Sequence, residues 1–192
     1  MRELEIKLFE ILYSRSFIYR ENPPFKLVSG KESFYYYDCK ATTLNQEGLS
    51  LTGKVFYNKL KEVIVDEDIH GFGGLTLGAD PIAVSTAIAA FDNGTKISPI
   101  IVRKEAKKHG TAKWIEGDID DVKNVIVIDD VITTGGSTIT AIERLREAGF
   151  KVVKAAVLID REEGGRENIE ALGVDVIPIF TKSDFDKRRT EI

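Results

Sequence analysis

Apolar positions recur at helical spacing near the N-terminus, at Leu4, Leu8, Ile11 and Leu12, which predicts an amphipathic helix from residue 3 to about 15. It packs on the core or on a partner chain. Pro23 and Pro24 end that pattern. Residues 25–38 then read as two strands joined by a Ser29-Gly30 turn, and the four aromatics from Phe34 to Tyr37 suit a half-buried strand. Helical spacing returns over 49–63, where Leu51, Val55, Phe56 and Leu60 share a face. Residues 70–81 are glycine-rich and read as a connection, with Asp80 and Pro81 as N-cap and first residue of a helix over 82–91.

Short apolar runs then alternate with helical patterns. Strands are predicted at 98–102, 125–128, 152–159 and 174–180, the second made of four β-branched residues of the kind a sheet buries on both faces. Between them lie a helix from about 137, with Ile139, Ile142 and Leu145 on one stripe and Gly149 as its stop, and a short helix over 167–172. This alternation, from about residue 63 onward, predicts an α/β fold: a parallel sheet flanked by helices, with ligands at the C-terminal ends of the strands. Residues 1–45 contribute the first helix and a small N-terminal hood. No repeat or linker divides the 192 residues, so a single domain is expected, with no tail for a second enzyme.

Composition limits the chemistry more than the fold. The net charge of −4 suggests no nucleic-acid surface, so any basic site must be local. One cysteine, Cys39, excludes a disulfide framework, and two histidines, His70 and His109, do not make a zinc cluster. A reducing cytoplasm fits. No apolar run approaches membrane-spanning length, and charges alternate in the first seven residues where a signal peptide would be apolar.

Residues 124–138 carry the densest chemistry. The predicted strand ends on Asp129 and Asp130, and Thr133-Thr134-Gly135-Gly136-Ser137-Thr138 follows. Glycines that take positive φ let successive N–H groups converge on one anion at the start of a helix. A P-loop would add a lysine after its glycines, and a dinucleotide fold would show Gly-x-Gly-x-x-Gly; neither is present. Two carboxylates beside a phosphate cradle suit a ligand with both a phosphate and sugar hydroxyls. The plainer alternative is a βα turn whose acids favour a helix N-terminus.

The run from Val125 to Thr138 resembles the phosphoribosyl-diphosphate (PRPP) binding motif of the type I phosphoribosyltransferases. The stretch from Phe25 to Tyr37 resembles the hood of the orotate-using branch of that family, which covers the flat pyrimidine. Some members carry a lysine near orotate where this chain has Val28, and Lys26 reaches the same face only if the strand is regular. Others place a lysine where this chain has Gly78, which leaves backbone N–H groups to approach the diphosphate.

Arg103-Lys104-Glu105-Ala106-Lys107-Lys108-His109-Gly110 by its pattern fits a solvated face, but it resembles the catalytic loop of the orotate-using branch. Arg161 by default is a surface ion-pair partner, while the Asp160-Arg161 pair resembles the one that reads the orotate ring. The resemblance implies that Thr133, Thr134, Gly135, Gly136 and Ser137 hold the 5-phosphate, that Asp129 and Asp130 bind the ribose hydroxyls, and that Arg103, Lys104, Lys107 and His109 take the diphosphate. Tyr36, Tyr37, Thr133 and Arg161 would hold orotate. It further implies Mg²⁺, bound mainly through PRPP and water with no direct protein ligand set, and a homodimer with shared active sites. Three rivals stand beside this reading: a purine-type enzyme, a non-catalytic PRPP-sensing regulator, and a structural flavodoxin-like module.

Overall fold

The structure, a computed structural model, describes residues 2–26, 32–105 and 114–191. Helix α1 (Arg2–Arg15) buries Leu8 and Leu12, as their shared face requires. The hood follows as two small antiparallel pairs. In chain order its strands are β1 (Phe17–Tyr19), β2 (Phe25–Lys26), β3 (Glu32–Ser33) and β4 (Tyr35–Tyr37), with β2 against β3 and β1 against β4.

The two-strand reading of 25–38 is therefore corrected, because its second strand breaks at Phe34 and the aromatic half pairs with β1. Ser33 explains the break. Its hydroxyl donates to Tyr35 O at 3.0 Å and accepts from Tyr35 N at 3.1 Å, a local turn that competes with the ladder. The Ser29-Gly30 turn and Val28 lie outside the described residues.

A single turn of helix that no pattern predicts, α2 (Lys40–Thr43), leads into α3 (Gln46–Asp66). The latter starts three residues before the expected position because the Asn45 side chain accepts from Glu47 N and Gly48 N. Leu51, Val55, Phe56 and Leu60 are all buried on it.

The expected glycine-rich connection contains a strand instead, β5 (Gly71–Leu75). A Cβ at Gly74 would lie 2.0 Å from Ile128 O and one at Gly73 would lie 2.9 Å from Ile100 Cβ, so close packing selects glycine here. Helix α4 (Ala79–Asp92) has Gly78 as its N-cap; Asp80 sits within its first turn and accepts from Thr76 Oγ1 at 2.5 Å.

β6 (Ser98–Val102) is followed by the short β7 (Ile115–Glu116) and by β8 (Asn124–Ile132), which runs past its expected end. Asp129 and Asp130 thus lie within the strand. Then come α5 (Gly136–Glu147), β9 (Lys151–Asp160), α6 (Gly165–Glu170), β10 (Asp175–Thr181) and α7 (Lys182–Thr190), the last an unpredicted helix started by a Thr181/Asp184 capping box.

The central sheet runs β10-β9-β8-β5-β6-β7, parallel except for β7. Strand β8 serves both faces: Ile126 and Ile128 join the core with α1, α3 and α4, while Val125 and Val127 join the core under α5. From β5 the chain moves outward to β6, and from β8 it moves the opposite way to β9. The switch point lies between β5 and β8, where open α/β sheets bind ligands beyond their C-terminal ends. No helix among the described residues is long and apolar enough to cross a membrane.

Candidate active site

The acidic pair lies near the C-terminal end of β8, at that switch point. Period-two alternation sends Asp129 toward α5 and Asp130 toward α4, so the two adjacent carboxylates serve opposite sides of the sheet edge. Asp129 is 4% exposed. It accepts from Thr138 Oγ1 at 2.6 Å and from Asp130 N at 2.9 Å. Burial, and then the Asp130 charge, push its carboxyl up to about 7. Burial also raises Asp130, against the opposing charge of Lys40.

Beyond the strand, Gly135 takes φ +83° as the N-cap of α5, a conformation that side chains disfavour. An added Cβ would meet Gly165 O at 2.9 Å. The first N–H groups of α5 have no helical partners and face outward. Thr133, Thr134, Gly135, Gly136 and Ser137 line a cleft of about 460 Å³ that also reaches Asp129, Tyr36, Lys26 and Arg161.

The far end of this cleft is built by the hood and β9. Arg161 is buried, and its Nη2 donates to Ser33 Oγ at 3.0 Å and pairs with Glu163 at 2.7 Å. Its Nε has no partner among the described residues. Tyr36 lines the cleft and stacks on Phe25 at 5.4 Å. Tyr37 does not. Alternation along β4 turns it into the core between Phe17 and Phe185, where burial pushes its phenol up, so the expectation that both tyrosines face one ligand is corrected.

A second cleft of about 270 Å³ shares Asp129 and Ser137 with the first. Its walls are Thr76, Leu77 and Gly78 after β5, Asp130, and two lysines, Lys104 and Lys40. The first had been expected there and the second had not. Arg103 lines neither cleft. It donates to Glu116 at 3.2 Å, because Arg103 N bonds Trp114 O and continues the β6–β7 pairing one step further. Lys107 and His109 lie outside the described residues.

Lys40 carried no signal in the sequence, being 90 positions from Asp130. Arg144 on α5 was also missed. It donates to Arg103 O and to Lys104 O, while its guanidinium lies 4.1 Å from the Trp114 ring centroid, so one side chain touches both roots of the basic segment.

The chain is similar to known proteins along most of its length. A phosphoribosyl transferase domain matches residues 86–183. The chain is 44% identical over 176 residues to the orotate phosphoribosyltransferase of Leptospira biflexa serovar Patoc (strain Patoc 1 / Ames), covering 90% of this chain and 94% of that protein. Its fold is similar to that of Mycobacterium tuberculosis H37Rv orotate phosphoribosyltransferase in complex with Fe(III) dicitrate (TM-score 0.79, 34% identity, 95% and 98% of the two chains). The complex of that enzyme with PRPP gives a TM-score of 0.75 at 31% identity, with 95% and 99% covered. Since the likeness runs over nine-tenths of both chains at 44% identity, the chain belongs to the orotate phosphoribosyltransferase family.

Proposed function

We propose that the two joined clefts hold PRPP and orotate together and transfer the 5-phosphoribosyl group to N1 of orotate, giving orotidine 5′-monophosphate and diphosphate in pyrimidine (UMP) biosynthesis. The observation that carries this reading is the position of Asp129, shared between a cleft with a phosphate cradle and a cleft with two lysines. A ribose bridging them has its 5-phosphate at Thr133 to Ser137 and its diphosphate toward Lys104.

The reaction breaks the C1–O bond with the electron pair leaving on diphosphate, and forms the C1–N1 bond from an orotate anion. Little proton transfer is needed, so positioning and charge do the work. Asp129 and Asp130 hold the ribose hydroxyls and stabilise positive charge at the ring, while Lys104, Lys107 and His109 stabilise the leaving diphosphate. Orotate lies under the hood, between Tyr36, Thr133 and Lys26, with the planar Arg161 fork toward its carboxylate. Arg103 and Tyr37 act through neighbours.

Among the described residues no group of three or more His, Cys, Asp and Glu could hold a metal ion alone. The paired carboxylates of Asp129 and Asp130 at the second cleft fit Mg²⁺, which keeps several waters and is bound through one or two carboxylates plus substrate phosphates. Asp130, with Asp129 behind it, would hold it through water and PRPP oxygens, and the ion would neutralise diphosphate charge.

The same reading includes a homodimer with active sites shared between chains. Its support is the exposed stripe Val84, Ile88 and Phe91 on α4, the last 70% exposed, which a second copy would cover. Incubating the protein with PRPP, Mg²⁺ and separate bases tests the activity: orotate absorbance should fall, and adenine or guanine should not be consumed. Consumption of a purine with orotate untouched would overturn the assignment.

A further inference from the structure

A leaving diphosphate calls for cations at the second cleft, and a side chain at Gly78 would start against the Asp130 carboxylate. An ideal Cβ there would lie 2.4 Å from Asp130 Oδ1, 2.6 Å from its Cγ and 2.8 Å from its Oδ2. The Asp130 carboxylate occupies that space and is itself tied to Val131 N at 3.0 Å. A lysine at 78 would displace the acid on which the ribose depends.

Another lysine reaches the same cleft. Lys40 opens α2 and lines the cleft across from Gly78, beside Asp130. Its place is set by buried neighbours on either side. Cys39 is fully buried with Sγ 3.9 Å from Asp130 O, and Thr42 Oγ1 bonds Ser16 Oγ at 2.7 Å. Asp38, whose N donates to Ser16 O at 2.8 Å, pairs with Lys40 Nζ at 2.8 Å. The backbone is pinned while the side chain stays 42% exposed, so the cation is positioned beside the cleft. Its pairing with Asp38 raises its pKa, and it remains charged at neutral pH.

We infer that Lys40 binds the diphosphate of PRPP, supplying positive charge to the second cleft from the hood side. This rests on the phosphoribosyltransferase reading and adds a residue to it. The ligand chemistry is specific: a polyphosphate oxygen array between Lys40 and Lys104, two cations that line one cleft. Lys40 thereby couples hood to leaving group, since α2 follows β4 directly and Tyr36 of β4 lines the orotate end.

Calorimetric binding of diphosphate with Mg²⁺, of PRPP with Mg²⁺ and of ribose 5-phosphate tests this with wild type, Lys40→Ala, Lys40→Gln and Lys40→Arg. Lys40→Gln keeps most of the stem, so one uncharged variant retains the packing. Loss of a charge-assisted contact should weaken diphosphate and PRPP about 10- to 100-fold in both uncharged variants. Ribose 5-phosphate should bind as in wild type, and Lys40→Arg should recover most of the loss. Unchanged diphosphate affinity in Lys40→Gln would overturn the proposal. Equal weakening of ribose 5-phosphate would overturn it too, since Lys40 would then act only through Asp130. Wild type that binds neither PRPP nor diphosphate would instead overturn the phosphoribosyltransferase reading.

Discussion

Thr138 Oγ1 donates to Asp129 Oδ2 at 2.6 Å and thereby joins the first turn of the cradle's helix to the acid that separates the two clefts. In the proposed reading, a phosphate at one and a ribose at the other meet the same strand–turn–helix unit. The same burial gives Asp129 a raised carboxyl pKa of about 7. A native pKa above the unfolded value means that the folded chain binds this proton more tightly. Its contribution to stability is therefore largest below about pH 4, falls as pH rises to about 7, and is constant above. Urea unfolding of the ligand-free protein should show stability falling as pH rises across that window. Asp129→Asn should make the fall shallower, since burial raises Asp130 as well; an unchanged slope in that variant would place the titration elsewhere.

Arg161→Ala should raise KM for orotate about 10- to 100-fold, with a much smaller effect on PRPP, because an anion loses its fork of donors. Arg161→Lys should recover little, since a point charge cannot replace two bonds aimed in one plane. Initial-rate kinetics with each substrate varied decides it. Equal losses for both substrates would mean that Arg161 only holds Ser33 and Glu163 in place.

Arg144 holds the carbonyls of Arg103 and Lys104 and stacks on Trp114. Arg144→Ala should lower kcat several-fold through misplacement of Lys104, with KM for orotate unchanged. Trp114 is the only tryptophan, so its emission should shift in the same variant. An unshifted spectrum with normal kcat would leave Arg144 as a surface residue.

Shared sites predict complementation. Lys107→Ala and Asp130→Asn should each be nearly inactive as pure dimers. Random exchange makes about half of the dimers mixed, each with one site free of both lesions, so about a quarter of wild-type activity should return. Mass measurement checks the exchange, and a mixture that stays at the sum of its parts would show that Lys107 serves its own chain.

Much of this was legible in residue order. The β-branched run at 125–128, the Thr-Thr-Gly-Gly-Ser cradle and the Asp160-Arg161 pair are contiguous signals, and local backbone geometry follows from local residues. The failures have a common cause in the loss of side-chain pattern. β5 has three glycines in five residues, so it shows no periodicity, and its strand state comes from neighbours on both sides. Ser33 redirected the aromatic run, which separated Tyr36 from Tyr37 by one step of alternation.

The sequence by itself determined the α/β class, the cradle and the identity of its acids, because each depends on residues within one strand–turn–helix unit. Only the tertiary structure decided which charges share a cleft. It turned Arg103 away to Glu116, brought Lys40 to Asp130 across 90 residues, and filled the space over Gly78 with a carboxylate. Electrostatic partners are chosen by distance in space, and that distance is set by how the hood and β8 pack, which no local pattern records.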